Sequence, residues 1–155
     1  MKLLAALTLL LPAVHVAALP GIDIVALPGN FGLRIGPNSD DPVVVKSPEH
    51  PEYYVVDESV RGGTALRFEL GDNNILIDQD KKSVIVDDLG DLRVGLDVKL
   101  ATSGFFFDKD GKLSTLNDVG ESFYLCPLSP PGKMKLRLSL YLEPDCQGID
   151  LYKIL

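Results

Sequence analysis

The residues able to do chemistry in this chain are mostly carboxylates, and they come in groups. Asp40 and Asp41, Asp78 and Asp80, Asp87, Asp88 and Asp91, and Asp108 and Asp110 each crowd acids into a few positions. A glycoside hydrolase needs two carboxyl groups facing each other across a cleft, one of them with its pKa raised to act as an acid. Acids interleaved with Gly, Asn and Lys between apolar runs have a plainer reading as solvated turns. Asp108-Lys-Asp-Gly111 resembles the start of a calcium loop, but the third oxygen ligand and the Glu at the twelfth position are missing. Beyond the leader the chain has a single histidine, His50, in the loop Ser47-Pro-Glu-His-Pro-Glu52. A loop between prolines is a poor place to hold a base beside a nucleophile, so His50 reads as an exposed polar residue. Cys126 and Cys146 carry no nucleophile motif, and with one histidine they are too few for a His/Cys metal site. The sequence therefore assigns no catalytic, metal-binding or cofactor-binding residue and points away from an enzyme.

A sugar-binding surface offers exposed aromatic rings, and the chain has no tryptophan. Tyr53, Tyr54, Tyr141 and Tyr152 are the candidates for a ligand surface. Tyr141 is the best of them, because it falls on the polar side of an alternating segment. There Met134, Leu136, Leu138, Leu140 and Leu142 share one face while Lys135, Arg137, Ser139 and Tyr141 share the other, the period of a half-buried strand.

The elements that would position these residues are short strands. Turn-bounded apolar segments occur at 31–35, 43–46, 53–57, 65–70, 75–78, 84–86 and 92–100, and more follow from Gly104 onward. Helical periodicity does not persist anywhere after the leader. About twelve short strands in ~125 residues make the chain all-β. A β-trefoil, with twelve strands in three similar units, and a two-sheet β-sandwich both fit. An echo favours the trefoil: Phe68 to Ile75 and Phe106 to Leu113 each set an aromatic and an aliphatic residue around an Asp/Gly turn. Phe31 lies 37 residues before Phe68, and Phe68 lies 38 before Phe106.

Met1-Lys2 followed by LLAALTLLLPAVHVAA has the basic start, apolar run and small residues of a secretory signal peptide, cut before Leu19. Residues 19–30, with Leu-Pro-Gly occurring twice, read as a flexible N-terminal segment, and residues 31–155 as a single all-β domain. Loss of Lys2 leaves 14 basic against 22 acidic residues, a net charge of −8. That sign opposes binding to nucleic acid and to anionic membranes. In an exported chain two cysteines pair, so a Cys126–Cys146 disulfide is expected, the alternative being two buried thiols.

From about Leu66 to Leu155 the order of short words resembles the C-terminal domain of fungal cell-wall mannoproteins of the Pir type. It is similar also to the small secreted wall proteins associated with phialide development. The words are Phe68, Leu76-Ile-Asp78, Gly104-Phe105, Gly111-Lys-Leu113, Phe123-Tyr-Leu-Cys126, Tyr141, and Cys146 running into Gln-Gly-Ile-Asp-Leu151. The chain departs from that pattern in having two cysteines where the family has four. It also lacks the glutamine-containing repeats and the Lys-Arg processing site before the domain. The resemblance implies a non-catalytic fungal protein of the wall or extracellular space, structural or polysaccharide-binding. Its alternative is a small secreted effector or allergen-like protein that binds a host protein. Either reading expects a monomer without cofactors.

Overall fold

Alternating apolar and polar residues form strands along nearly the whole chain. The computed structural model describes residues 30–61, 65–129, 131–141 and 143–155, without the side chains of Ser59 and Arg61. The expected leader 1–18 and all of the 19–30 segment except Asn30 lie outside the described residues. Among those residues there are thirteen strands and no helix beyond short 3-10 turns. The chain is all-β.

The strands are β1 (Gly32–Ile35), β2 (Pro42–Ser47), β3 (His50–Arg61), β4 (Phe68–Leu70), β5 (Leu76–Asp78), β6 (Ser83–Val86) and β7 (Leu92–Gly95). Then come β8 (Phe105–Phe107), β9 (Leu113–Thr115), β10 (Ser122–Pro127), β11 (Lys133–Ser139), β12 (Gln147–Ile149) and β13 (Leu151–Ile154). One curled antiparallel sheet runs β12-β10-β11-β3-β7-β6-β5-β4. β2 pairs with both β3 and β1, β1 pairs with β13, and β8 and β9 form a separate hairpin. β3 is the hub, because it alone joins β2, β7 and β11. Isolated bridges add Phe31 to Phe68, Lys112 to Tyr152 and Asp91 to Arg137.

Inside, Phe31, Phe68, Phe105 and Phe107 are buried with Tyr54, Leu136, Leu138 and Leu151. Phe31 meets Phe107 edge to face at 4.9 Å between ring centroids, a favoured aromatic geometry. Phe31 and Phe68 exchange both backbone hydrogen bonds, at 2.9 and 2.6 Å. The aromatic spacing is one residue tighter than expected at its third member. Phe105 and Phe107 are buried and Phe106 only half-buried, so the buried series is Phe31, Phe68, Phe105 with 37 residues between successive members. A strand alternates its faces every residue, so the slip from Phe106 to Phe105 exchanges inside for outside.

Three further expectations are corrected. β11 ends at Ser139, so Leu140 is not core but 51 % exposed. The Ser139 hydroxyl accepts the Tyr141 N–H at 3.1 Å, which starts a turn where the alternation would have continued. Leu142 lies outside the described residues. The segment 92–100 is a strand only to Gly95 and then a 3-10 turn at Val98–Leu100, where the Asp97 carboxylate accepts the Lys99 N–H. His50 is half-buried at the start of β3, not an exposed loop residue, because β2 and β3 pair Ser47 with His50 across a tight connection.

Candidate ligand-binding groove

Three of the acidic groups turn out to be one structure used three times. In Asp78–82, Asp87–91 and Asp108–112 the first aspartate accepts, on one carboxylate oxygen, the N–H of the third residue and the N–H of the fifth. The backbone of that aspartate also bonds the fourth and fifth residues. The fourth position has positive φ each time, filled by Lys81, Gly90 and Gly111. An aspartate that satisfies its own turn in this way is held for structure. Asp41 does similar work, accepting the Asn38 N–H at 2.7 Å. Among the described residues no group of three His, Cys, Asp or Glu side chains is placed to hold a metal ion.

The four candidate tyrosines separate into different environments. Tyr54 is 1 % exposed with its hydroxyl on Asp78, so it faces the core and not a ligand. Tyr53, its neighbour on β3, points to the opposite face. Its half-buried ring already carries the Arg93 guanidinium at 5.0 Å and the Lys135 ammonium at 5.2 Å from its centroid. Tyr152 is half-buried on β13 beside Lys112. Tyr141 is 77 % exposed and stands just past the end of β11.

Tyr141 borders a shallow groove of about 630 Å³ between the β6–β7 turn and the end of β11. Leu89, Val119 and Leu140 line it as exposed aliphatic side chains. Its polar wall is a chain of charges anchored in the interior. Asp91 is 1 % exposed and accepts Lys135 Nζ at 2.5 Å and Arg137 Nε at 2.8 Å. Arg137 Nη1 donates onward to Glu143 at 3.0 Å, and the Ser139 hydroxyl donates to the other Glu143 oxygen at 3.1 Å. The Asp91 hydrogen bond, opposed by partial burial and helped by Glu143, holds Arg137 above its ordinary pKa, so it stays charged. Two other concavities, of about 430 Å³ beside Lys46 and Lys133 and about 440 Å³ beside Lys112 and Asp150, present no exposed aromatic ring.

The groove can therefore offer a flat aromatic face, aliphatic walls and fixed hydrogen-bonding groups. Sequence reasoning singled out Tyr141 but missed Leu89, Val119, Arg137 and Glu143. Leu89 did leave a signal, being an apolar residue at the tip of an Asp-Leu-Gly turn where a polar one is usual. Arg137 and Glu143 left none, because the buried anchor of the chain, Asp91, bonds Arg137 from 46 positions away and Glu143 joins only through Arg137 and Ser139.

Cys126 of β10 and Cys146 are joined in a disulfide with their Cα atoms 4.4 Å apart, as expected. The bond ties the far end of the Tyr141 loop to the strand next to β11. Fold and groove thus define the class: an all-β, disulfide-bonded chain with one exposed tyrosine set on a partly apolar groove. Comparison with known proteins finds no match among family models, curated proteins or solved structures.

Proposed function

We propose that this chain is a non-catalytic secreted protein of the fungal wall or extracellular space that binds polysaccharide in the Tyr141 groove. The observation that carries the reading is the exposure of Tyr141, at 77 %, while every other tyrosine is buried, half-buried or engaged by cations. An open phenol ring stacks on the apolar face of a sugar, and Ser139, Arg137 and Glu143 beside it supply hydrogen bonds to hydroxyls. The wall assignment rests on the Pir-type resemblance and on the leader, and the disulfide is compatible with an oxidising compartment.

The fold proposed for it is a β-trefoil. Supporting this, β1 meets β4 through the Phe31–Phe68 bridge, β4 meets β5, and β9 meets β13 through Lys112–Tyr152. β13 returns to β1, β8 pairs with β9, and a Gly104–Asn73 hydrogen bond of 3.3 Å joins the segments just before β8 and β5, contacts that would close these six strands into the ring of a trefoil. The hairpins β2–β3, β6–β7 and β10–β11 would be its three caps, and the phenylalanine spacing its repeat.

A host protein as the partner is the second reading, favoured by Leu89 at 70 % and Leu140 at 51 % exposure. Aliphatic side chains flanking an exposed tyrosine suit a protein contact better than a sugar hydroxyl. Pull-down on insoluble glucan and chitin with wild type and Tyr141→Ala tests the first reading. Retention lost in the variant supports it; no retention of wild type on either polymer overturns it. In that case retention on immobilised host extract, lost in Leu89→Ser, would favour the second.

A further inference from the structure

We infer that the Cys126–Cys146 disulfide is a redox-sensitive fastener of the Tyr141 groove, holding its loop in place and releasing it on reduction. The inference rests on reading that groove as the binding surface, although its test does not. The chain leaves β11 after Ser139 and rejoins the sheet at Cys146 and β12, on the other side of β10, which lies between β11 and β12. At the near end Ser139 accepts the Tyr141 N–H and donates to Glu143. Near the middle, Glu143 grips Arg137, which is itself held by buried Asp91. At the far end the Cys146 N–H donates to the Glu143 carbonyl at 3.1 Å, so Cys146 closes the turn that carries Glu143.

The sulfur bond is the covalent anchor of that turn. Beyond Cys146 the chain is retained by β12, which pairs only Gln147, Gly148 and Ile149 with β10 and leaves Gln147 and Gly148 exposed. Cys126 is 3 % exposed and Cys146 half-buried, so Cys146 is the more accessible cysteine of the pair. A dithiol reductant attacks Cys146 Sγ and breaks the S–S bond, forming a mixed disulfide that its second thiol resolves. The protein gains two electrons and two protons as two thiols, and the reductant leaves as a disulfide. The Glu143 turn then loses its anchor while the core strands keep theirs.

Hydrogen-exchange mass spectrometry on the full chain tests this, with oxidised protein compared to protein reduced by dithiothreitol and shown by alkylation to carry two thiols. The peptide covering 140–146 is expected to exchange about tenfold faster or more after reduction, with β3 and the buried part of β11 unchanged. Glu143→Gln in the oxidised protein should speed the same peptide by a smaller factor, since it weakens the grip on Arg137 and Ser139 without touching the sulfurs. Unchanged exchange at 140–146 in the reduced protein overturns the inference. So does global unfolding on reduction, which would make the bond a staple of the whole fold. If the loop loosens and neither redox form binds glucan or chitin, the fastener stands and the polysaccharide reading falls.

Discussion

Tyr54 donates its phenolic hydrogen to the Asp78 carboxylate across 3.0 Å in the interior, where each residue is 1 % exposed. Lys46 reaches the same carboxylate at 2.6 Å, and the backbone N–H groups of Asp80 and Lys82 bond its other oxygen. One aspartate thus joins the β5–β6 turn, β2 and β3. Such a buried carboxylate is tolerated because all its lone pairs are used.

Removing a partner should be costly in proportion to the charge left behind. Tyr54→Phe takes away one donor and is expected to cost about 1–3 kcal/mol. Asp78→Ala leaves Lys46 without its buried partner and opens the turn, and should cost about 3–5 kcal/mol. Urea unfolding with unchanged m-values measures both. Equal, small costs for the two would show that the carboxylate is solvated.

The same site predicts acid lability. Burial alone would raise the Asp78 pKa, but hydrogen bonds from Lys46, the Lys82 N–H, Tyr54 and the Asp80 N–H outweigh it and hold the pKa below the ordinary 3.8. A carboxyl group with a depressed folded pKa stabilises the fold above its unfolded pKa and loses that contribution as pH falls through the folded one. The melting temperature should therefore drop as pH falls below about 4. Asp78→Asn, less stable at neutral pH, should show a shallower decline over that range. Parallel melting curves for the two proteins would count against it.

The repeated aspartate turn makes a prediction about two glycines in the same place. Gly90 has φ +84°, and a Cβ there would lie 2.3 Å from the Leu138 carbonyl oxygen. Gly111 has φ +77°, but its nearest neighbour would be Lys153 Cβ at 3.9 Å. Lys81 already holds the equivalent position with φ 60°, so a side chain is compatible with the turn itself. Gly111→Ala should cost about 1–2 kcal/mol in backbone strain alone. Gly90→Ala should cost more than about 2 kcal/mol, because strain and a backbone clash add. Thermal melts of the pair decide the order.

Leu138 and Tyr141 test the two faces at the end of β11. Leu138 is fully buried, and Leu138→Ala is expected to cost about 2–5 kcal/mol. Tyr141→Ala, at an exposed site, should stay within about 0.5 kcal/mol of wild type. Chemical denaturation of both variants gives the comparison, and a large loss in Tyr141→Ala would mean that its ring packs against the groove floor.

Period-two alternation was enough to make the chain all-β, since a strand shows its two faces in every second residue. Two cysteines in a chain read as exported were enough for the disulfide, and acids next to glycine and lysine were enough for turns. The sequence did not reveal which of two adjacent residues faces inward. Tyr53 and Tyr54 are equal candidates by pattern, and Phe105, Phe106 and Phe107 are a run without alternation. Their sorting depends on Asp78, Phe31 and Arg93, partners brought in from distant segments. Leu140 continued the alternation on paper, yet its strand ends one residue earlier, where Ser139 turns the chain. Local pattern sets periodicity because neighbours share one backbone geometry. Register, strand ends and the Asp91–Arg137–Glu143 chain belong to tertiary structure, because long-range pairing alone determines which side chains meet.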